Sequence, residues 1–174
     1  MYRTRQQWRK FLVERRGVCW SHPGEATKAP HAKLTDGDHS DLFVNGEGFL
    51  NSSDILLQGC SDLLGNLIAD EKFDIYAIDC VIGPTKGGVP IAAVMATIIG
   101  ERRGSPCAFG WAEIRKEQGK RSAHIPGIFI PRRGARVLLV DDVFTKGSTF
   151  LLTIAALKKL ALDVEVTDTA VFWD

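Results

Sequence analysis

The sequence predicts an α/β fold: an open, mainly parallel sheet flanked by helices, with a small lobe at the amino-terminal end. Three observations predict it. Val137, Leu138, Leu139 and Val140 are four aliphatic residues in a row with no polar alternation, as expected of a strand covered on both faces. Beyond residue 70, strand-like and helix-like segments alternate, which is the pattern of βαβ units. Two of the strand-like segments run directly into glycine-containing turns that open helices, at 83–90 and at 141–149.

The elements follow in order. Gln6, Trp8 and Glu14 recur at helical spacing and Gly17 supplies a stop, so the chain begins with a helix. Residues 18–50 are rich in Gly, His, Asp and Pro, with short apolar pieces such as Leu42-Phe43-Val44 ahead of Asn45-Gly46, and read as a small irregular lobe. Asn51, Ser52 or Ser53 caps a helix whose apolar face is Ile55, Leu56, Leu63, Leu64, Leu67 and Ile68. Strands are expected at 75–82, 106–111, 127–131, 135–140 and 164–173, and helices at 89–99 and 150–160. The polar stretch at about 112–126 is too long for a tight turn and reads as a flexible loop. The organisation is one domain over 1–174, with helix and lobe at 1–50 and the α/β core at 51–174.

With 174 residues, 45% apolar and 25% charged, the chain can bury one sizeable core. A net charge of +1 argues against a general nucleic-acid or membrane-surface partner. Cys19, Cys60, Cys80 and Cys107 form no Cys-x-x-Cys pair and have no His at zinc-ligand spacing, so they read as reduced thiols. No run of 18 apolar residues exists and residues 1–16 are too charged for a secretory signal, so a soluble cytoplasmic protein is expected.

The chemistry concentrates at 137–149. Asp141 and Asp142 stand at the carboxyl end of the strand, where open α/β sheets bind ligands. Thr145, Lys146, Gly147, Ser148 and Thr149 then join a glycine and hydroxyl donors to a helix start, whose N–H groups can converge on a phosphate. A solvated turn would use the same residue types for local reasons. The lysine precedes the glycine in Lys146-Gly147-Ser148, so this is not a Walker A loop. Thr85, Lys86, Gly87 and Gly88 form a second anion site by the same physics, the alternative being a plain Gly/Pro turn. The polar stretch carries Arg115, Lys116, Lys120, Arg121 and His124, which suit a lid closing over an anion; a solvated charge run is the alternative.

The run Leu138-Leu139-Val140-Asp141-Asp142-Val143-Phe144-Thr145-Lys146-Gly147-Ser148-Thr149 closely resembles the phosphoribosyl diphosphate (PRPP) signature of the type I phosphoribosyltransferases. The resemblance implies that Asp141 and Asp142 hold the ribose hydroxyls and that Thr145 to Thr149 hold the 5′-phosphate. It makes Thr85, Lys86, Gly87 and Gly88 the diphosphate loop, often built on a non-proline cis peptide. Arg115-Lys116-Glu117 is similar to the start of the catalytic loop of orotate phosphoribosyltransferases, which implies catalytic roles for Arg115, Lys116 and Lys120. Lys120 would then reach the diphosphate of a neighbouring subunit. Leu34, Ser40, Phe43 and Asn45 are similar to the amino-terminal hood of that branch, with Lys33 and Phe43 as base-binding candidates; His31 and His39 fit better as surface or hood-packing residues. Thr35 departs from the pattern, standing where the branch has a lysine for the orotate carboxylate. The sequence also ends at Asp174, where the branch continues to a second basic residue.

The implied protein is a Mg²⁺-dependent enzyme of pyrimidine nucleotide metabolism, with the ion carried by PRPP and no direct protein ligands. It would transfer the phosphoribosyl group to a nucleobase, best orotate, and release diphosphate. A homodimer with shared sites is implied as well, and Trp8, Phe11 and Leu12 offer an apolar stripe to bury. A PRPP-binding regulator without turnover, a transferase for a purine or another base, and a phosphohydrolase or kinase-like enzyme using Asp141 are the alternatives.

Overall fold

The computed structural model describes residues 3–14, 19–21, 32–33, 39–40, 42–44, 46, 50–70, 73–84, 86–144, 146–160 and 163–173. The elements among them are α1 (Arg5–Glu14), β1 (Cys19–Ser21), β2 (Ala32–Lys33), β3 (His39–Ser40), β4 (Leu42–Val44), α2 (Ser53–Ile68), β5 (Cys80–Pro84), α3 (Gly88–Arg103), β6 (Ala108–Glu117), β7 (Lys120–His124), β8 (Arg136–Val143), α4 (Ser148–Lys159) and β9 (Glu165–Trp173). The main sheet has the order β7-β6-β5-β8-β9. Its β6–β5, β5–β8 and β8–β9 pairings are parallel, and β6–β7 is antiparallel.

Strand alternation divides the interior into two layers. Val81 of β5, with Leu138 and Val140 of β8, faces a core shared with α1, α2 and α3. Cys80 and Ile82 of β5, with Val137 and Leu139 of β8, face a second core closed by Phe150, Ala156 and Leu157 of α4. The unbroken aliphatic run of β8 is therefore a consequence of helices on both sides. From β5 the chain crosses by α3 to β6 on one side, and from β8 it crosses by α4 to β9 on the other. Adjacent strands β5 and β8 thus flank the point where the winding reverses, the usual crevice of doubly wound sheets.

The amino-terminal lobe contains two antiparallel pairs, β1 with β4 and β2 with β3. Trp8 of α1 is 7% exposed, and its Nε1 donates to Oδ2 of Asp62 in α2 at 3.0 Å. Gln58 donates to the other oxygen of Asp62 at 2.8 Å, so this buried carboxylate has its acceptors used. Trp8 and Phe11 pack into the domain's own core, and the stripe read as available to a partner subunit is at these two positions already covered.

The structure differs from the sequence expectation in three places. Residues 75–82 split into a short 3₁₀ turn at Ile75–Ala77 and the strand β5. The short strand expected at 127–131 is a 3₁₀ turn at Gly127–Phe129, whose Phe129 ring stacks on Trp111 with centroids 3.6 Å apart. The flexible loop expected at about 112–126 is an antiparallel hairpin. Gln118 and Gly119 both take positive φ, +49° and +78°, giving the two-residue turn whose twist matches flanking strands. No helix among the described residues is long and apolar enough to cross a membrane.

Candidate functional site

Asp141 and Asp142 continue the alternation of β8 past its apolar run, so adjacent carboxylates point to opposite layers. Asp141 follows Val137 and Leu139 and lines a shallow pocket with Gly147, Ser148, Thr149 and Phe150 at the start of α4. Asp142 follows Leu138 and Val140 and lies against the start of α3. A Cβ added to Gly87 would sit 2.5 to 2.6 Å from the two oxygens of Asp142. One added to Gly88 would sit 2.7 Å from the carbonyl oxygen of Val140. A Cβ at Gly46, in the lobe, would also strike the Asp142 carboxylate. One dipeptide thereby touches both glycine-rich turns and the lobe.

Local backbone geometry holds the pair. The amide of Asp142 donates to Oδ1 of Asp141 at 3.0 Å and the amide of Val143 donates to Oδ1 of Asp142 at 2.9 Å. Burial, reinforced by the charge of Asp142, pushes the Asp141 carboxyl up to about 7. The β8 turn closes on Gly147 at φ +67°, which has no side chain to cap α4, and the first amides of a helix have no intrahelical acceptor. Phe144 lies over this glycine and near Phe150, with ring centroids 6.2 Å apart. In the β5 turn, Lys86 is exposed and adopts φ +65°, a conformation costly to a residue with a side chain.

The hairpin divides its cations between two faces, because partners across an antiparallel register share a side. Lys116 is paired with Arg121 and Ile114 with Ala123, and this side turns toward α4: Ala123 packs on the second core. Arg121 donates to the hydroxyls of Ser148 and Thr149 at 3.3 and 3.5 Å. Glu117 with Lys120, Arg115 with Ser122, and Glu113 with His124 form the other side. There Arg115 binds Glu113 at 2.6 Å.

Of the residues singled out from sequence, Asp141, Asp142, Gly87, Gly88, Gly147, Ser148 and Thr149 come together, with Lys86 and Lys146 exposed in the flanking turns. Lys116 faces them from the hairpin, whereas Arg115 and Lys120 face away. Thr85 and Thr145 lie outside the described residues, as do His31, Leu34, Thr35 and Asn45. There is no cis peptide bond among the described residues, and the bonds of Thr85 fall outside them. Lys33 is exposed in β2 opposite His39, and Phe43 is in β4 opposite Trp20. Gly46 and Arg121 are the additions. In the sequence Gly46 stands out only as a turn residue and Arg121 only as one charge among five.

Comparison with known proteins adds a family. The phosphoribosyl transferase domain matches residues 50–174. An orotate phosphoribosyltransferase of Dichelobacter nodosus is 33% identical over 135 residues, covering 76% of this chain and 58% of that protein. The transcriptional regulator GfcR of Methanococcus maripaludis is 26% identical over 137 residues, covering 79% of this chain and 63% of the regulator. The chain spans about three fifths of the length of the curated relatives it matches. Among solved structures, orotate phosphoribosyltransferase from Aeropyrum pernix has the same fold, with a TM-score of 0.62 at 21% identity, over 94% of this chain and 91% of that one. With the signature strand, both glycine-rich turns and the mainly parallel sheet inside the matched region, this chain belongs to the phosphoribosyl transferase domain family.

Proposed function

We propose that the protein transfers the 5-phosphoribosyl group of PRPP to a pyrimidine base, best orotate, with release of diphosphate. The observation that carries this reading is the division of Asp141 and Asp142 between two anion-binding turns. A sugar bearing a phosphate at one end and a diphosphate at the other needs two anion sites bridged by acceptors for its hydroxyls. In this reading the start of α4 holds the 5′-phosphate and Asp141 and Asp142 orient the ribose. Lys86, Gly87 and Gly88, beside Thr85, face the diphosphate, and Lys116 approaches over the sugar. Holding the three groups in line favours reaction at C1 and stabilises charge on the leaving group. In this reading Mg²⁺ is carried on phosphate oxygens and water, which this small, hard cation prefers to an all-protein cage. When bound, the ion would neutralise diphosphate charge.

The decisive experiment is diphosphate release from PRPP and Mg²⁺ against orotate, uracil, adenine, hypoxanthine, guanine and xanthine. Release with orotate, weakened in Lys33→Ala, supports the pyrimidine assignment. Release with a purine alone would replace it, and PRPP binding without release from any base would favour a regulator. The regulator reading has its own support in the likeness to GfcR.

The two faces of the hairpin also favour a homodimer, since Arg115 and Lys120 point away from their own phosphate turn while Lys116 points to it. Mixing Lys120→Ala protein with Asp141→Asn/Asp142→Asn protein should restore activity through hybrid dimers carrying one intact site. Mixtures no more active than the separate variants would remove the shared-site proposal.

A further inference from the structure

We propose that Arg121 is a ligand of the 5′-phosphate, supplied by the same subunit; this rests on the phosphoribosyl reading above. Its guanidinium lies over the first turn of α4, with Nη1 3.3 Å from Ser148 Oγ and Nη2 3.5 Å from Thr149 Oγ1. A cation at a helix amino terminus opposes the helix dipole and is unfavourable unless an anion sits between them. The first turn of α4 holds no acidic residue and Gly147 has no side chain to cap it, and the one carboxyl lining the same pocket, Asp141, is half-buried and raised toward its neutral form, which leaves room for an external anion. Both hydroxyls can accept from Arg121 while donating to a third group, because each carries one O–H and two lone pairs.

The strand pairing brings the arginine there independently of those contacts. Arg121 is opposite Lys116, on the side of the hairpin that Ala123 packs into the α4 core. Its approach to Ser148 and Thr149 thus follows from register. Two separate nitrogens reach two adjacent hydroxyls, the spacing with which a planar fork addresses two oxygens of one phosphate. Arg121 then closes the open side of the cradle, and the turn Gly147 to Thr149 closes the other. This separates the hairpin's duties: Arg121 reads the end of the ligand that does not react, and the remaining cations are left for the diphosphate.

Calorimetric affinity for ribose 5-phosphate and, separately, for diphosphate with Mg²⁺ tests the assignment. The proteins are the full chain, Arg121→Gln and Arg121→Lys, with Arg133→Gln as a surface control at the opposite end of β8. Arg121→Gln should weaken ribose 5-phosphate by about 10- to 100-fold, the effect of losing a charged hydrogen-bond donor, while diphosphate binding stays within about twofold. Arg121→Lys should recover part of the loss, since charge returns without the fork, and circular dichroism melts show whether each variant is folded. Equal loss of both ligands, loss of diphosphate alone, or loss of neither overturns the assignment. Failure of the parent protein to bind ribose 5-phosphate would instead remove the phosphoribosyl reading, and the assignment with it.

Discussion

The turn after β5 and the turn after β8 look alike in sequence, each a glycine-bearing link from a buried strand to a helix, yet their glycines answer different demands. Gly87 has ordinary helical angles, φ −65° and ψ −45°, which any residue can adopt. It is glycine because a Cβ would land on the carboxylate of Asp142. Gly147 has φ +67°, where side chains are strained, and the neighbour a Cβ would meet is the movable ring of Phe144. The first turn is glycine for space and the second for backbone handedness. The two turns therefore divide the work of the site. The β5 turn is packed tightly enough to hold Asp142 in place, and the β8 turn leaves an open cradle of amides and hydroxyls.

The largest effect is expected where the two turns meet. Asp141→Asn with Asp142→Asn should weaken PRPP by about 100-fold or more, since each charged acceptor lost to a ribose hydroxyl costs about 1.5 to 3 kcal/mol. The fold should persist, because asparagine keeps the oxygens that accept from the Asp142 and Val143 amides. Calorimetry and a thermal melt check both halves; unchanged affinity would sever the dipeptide from the ligand.

The glycine pair sharpens the comparison. Gly87→Ala should cost less stability than Gly147→Ala, because the Asp142 side chain can turn aside, while cutting ribose 5-phosphate affinity by about 10-fold, the loss of one well-placed hydrogen bond as Asp142 is displaced. Gly147→Ala should do the reverse, costing about 1 to 2 kcal/mol of stability in urea melts for the left-handed backbone. Gly147→Asn should cost less, as asparagine tolerates that region. If Gly87→Ala proved the more destabilising of the two, space and handedness would have been assigned to the wrong turns.

These contrasts also mark what was readable in the sequence. The parallel sheet was legible because Val137 to Val140 lack alternation, which only a doubly covered strand requires. Asp141 and Asp142 were legible because acids at a strand end beside a glycine turn are uncommon for packing reasons. Their division between two layers follows from the same alternation, but its consequence needed the positions of α3 and α4. The hairpin at 108–124 was hidden because its outer residues are charged on both sides, so the period of two carries no apolar signal. Gln118-Gly119, flanked by Glu117 and Lys120, was the trace it left. Gly46 and Arg121 could not be found locally, since each matters through a contact with residues distant in sequence.

The smallest effect concerns Asp141 alone and tests whether the α4 side of the dipeptide is the more enclosed. Burial is the larger cause of its raised pKa and the charge of Asp142 the next, so Asp142→Asn should lower the value without restoring the ordinary carboxylate range. Carboxyl ¹³C titration of the ligand-free protein should show Asp141 changing charge near pH 7 in the parent and lower in the variant. The effect on stability has a definite sign. A carboxyl whose folded pKa lies above its unfolded value of 3.8 binds more protons folded than unfolded, so its contribution is fully present below that value. It is lost as pH rises to about 7. Urea melts across that interval should therefore fall more steeply with pH for the parent than for Asp141→Asn, which never ionises. Parallel slopes would mean that Asp141 is as well solvated as an exposed carboxylate, and that neither burial nor Asp142 governs its charge.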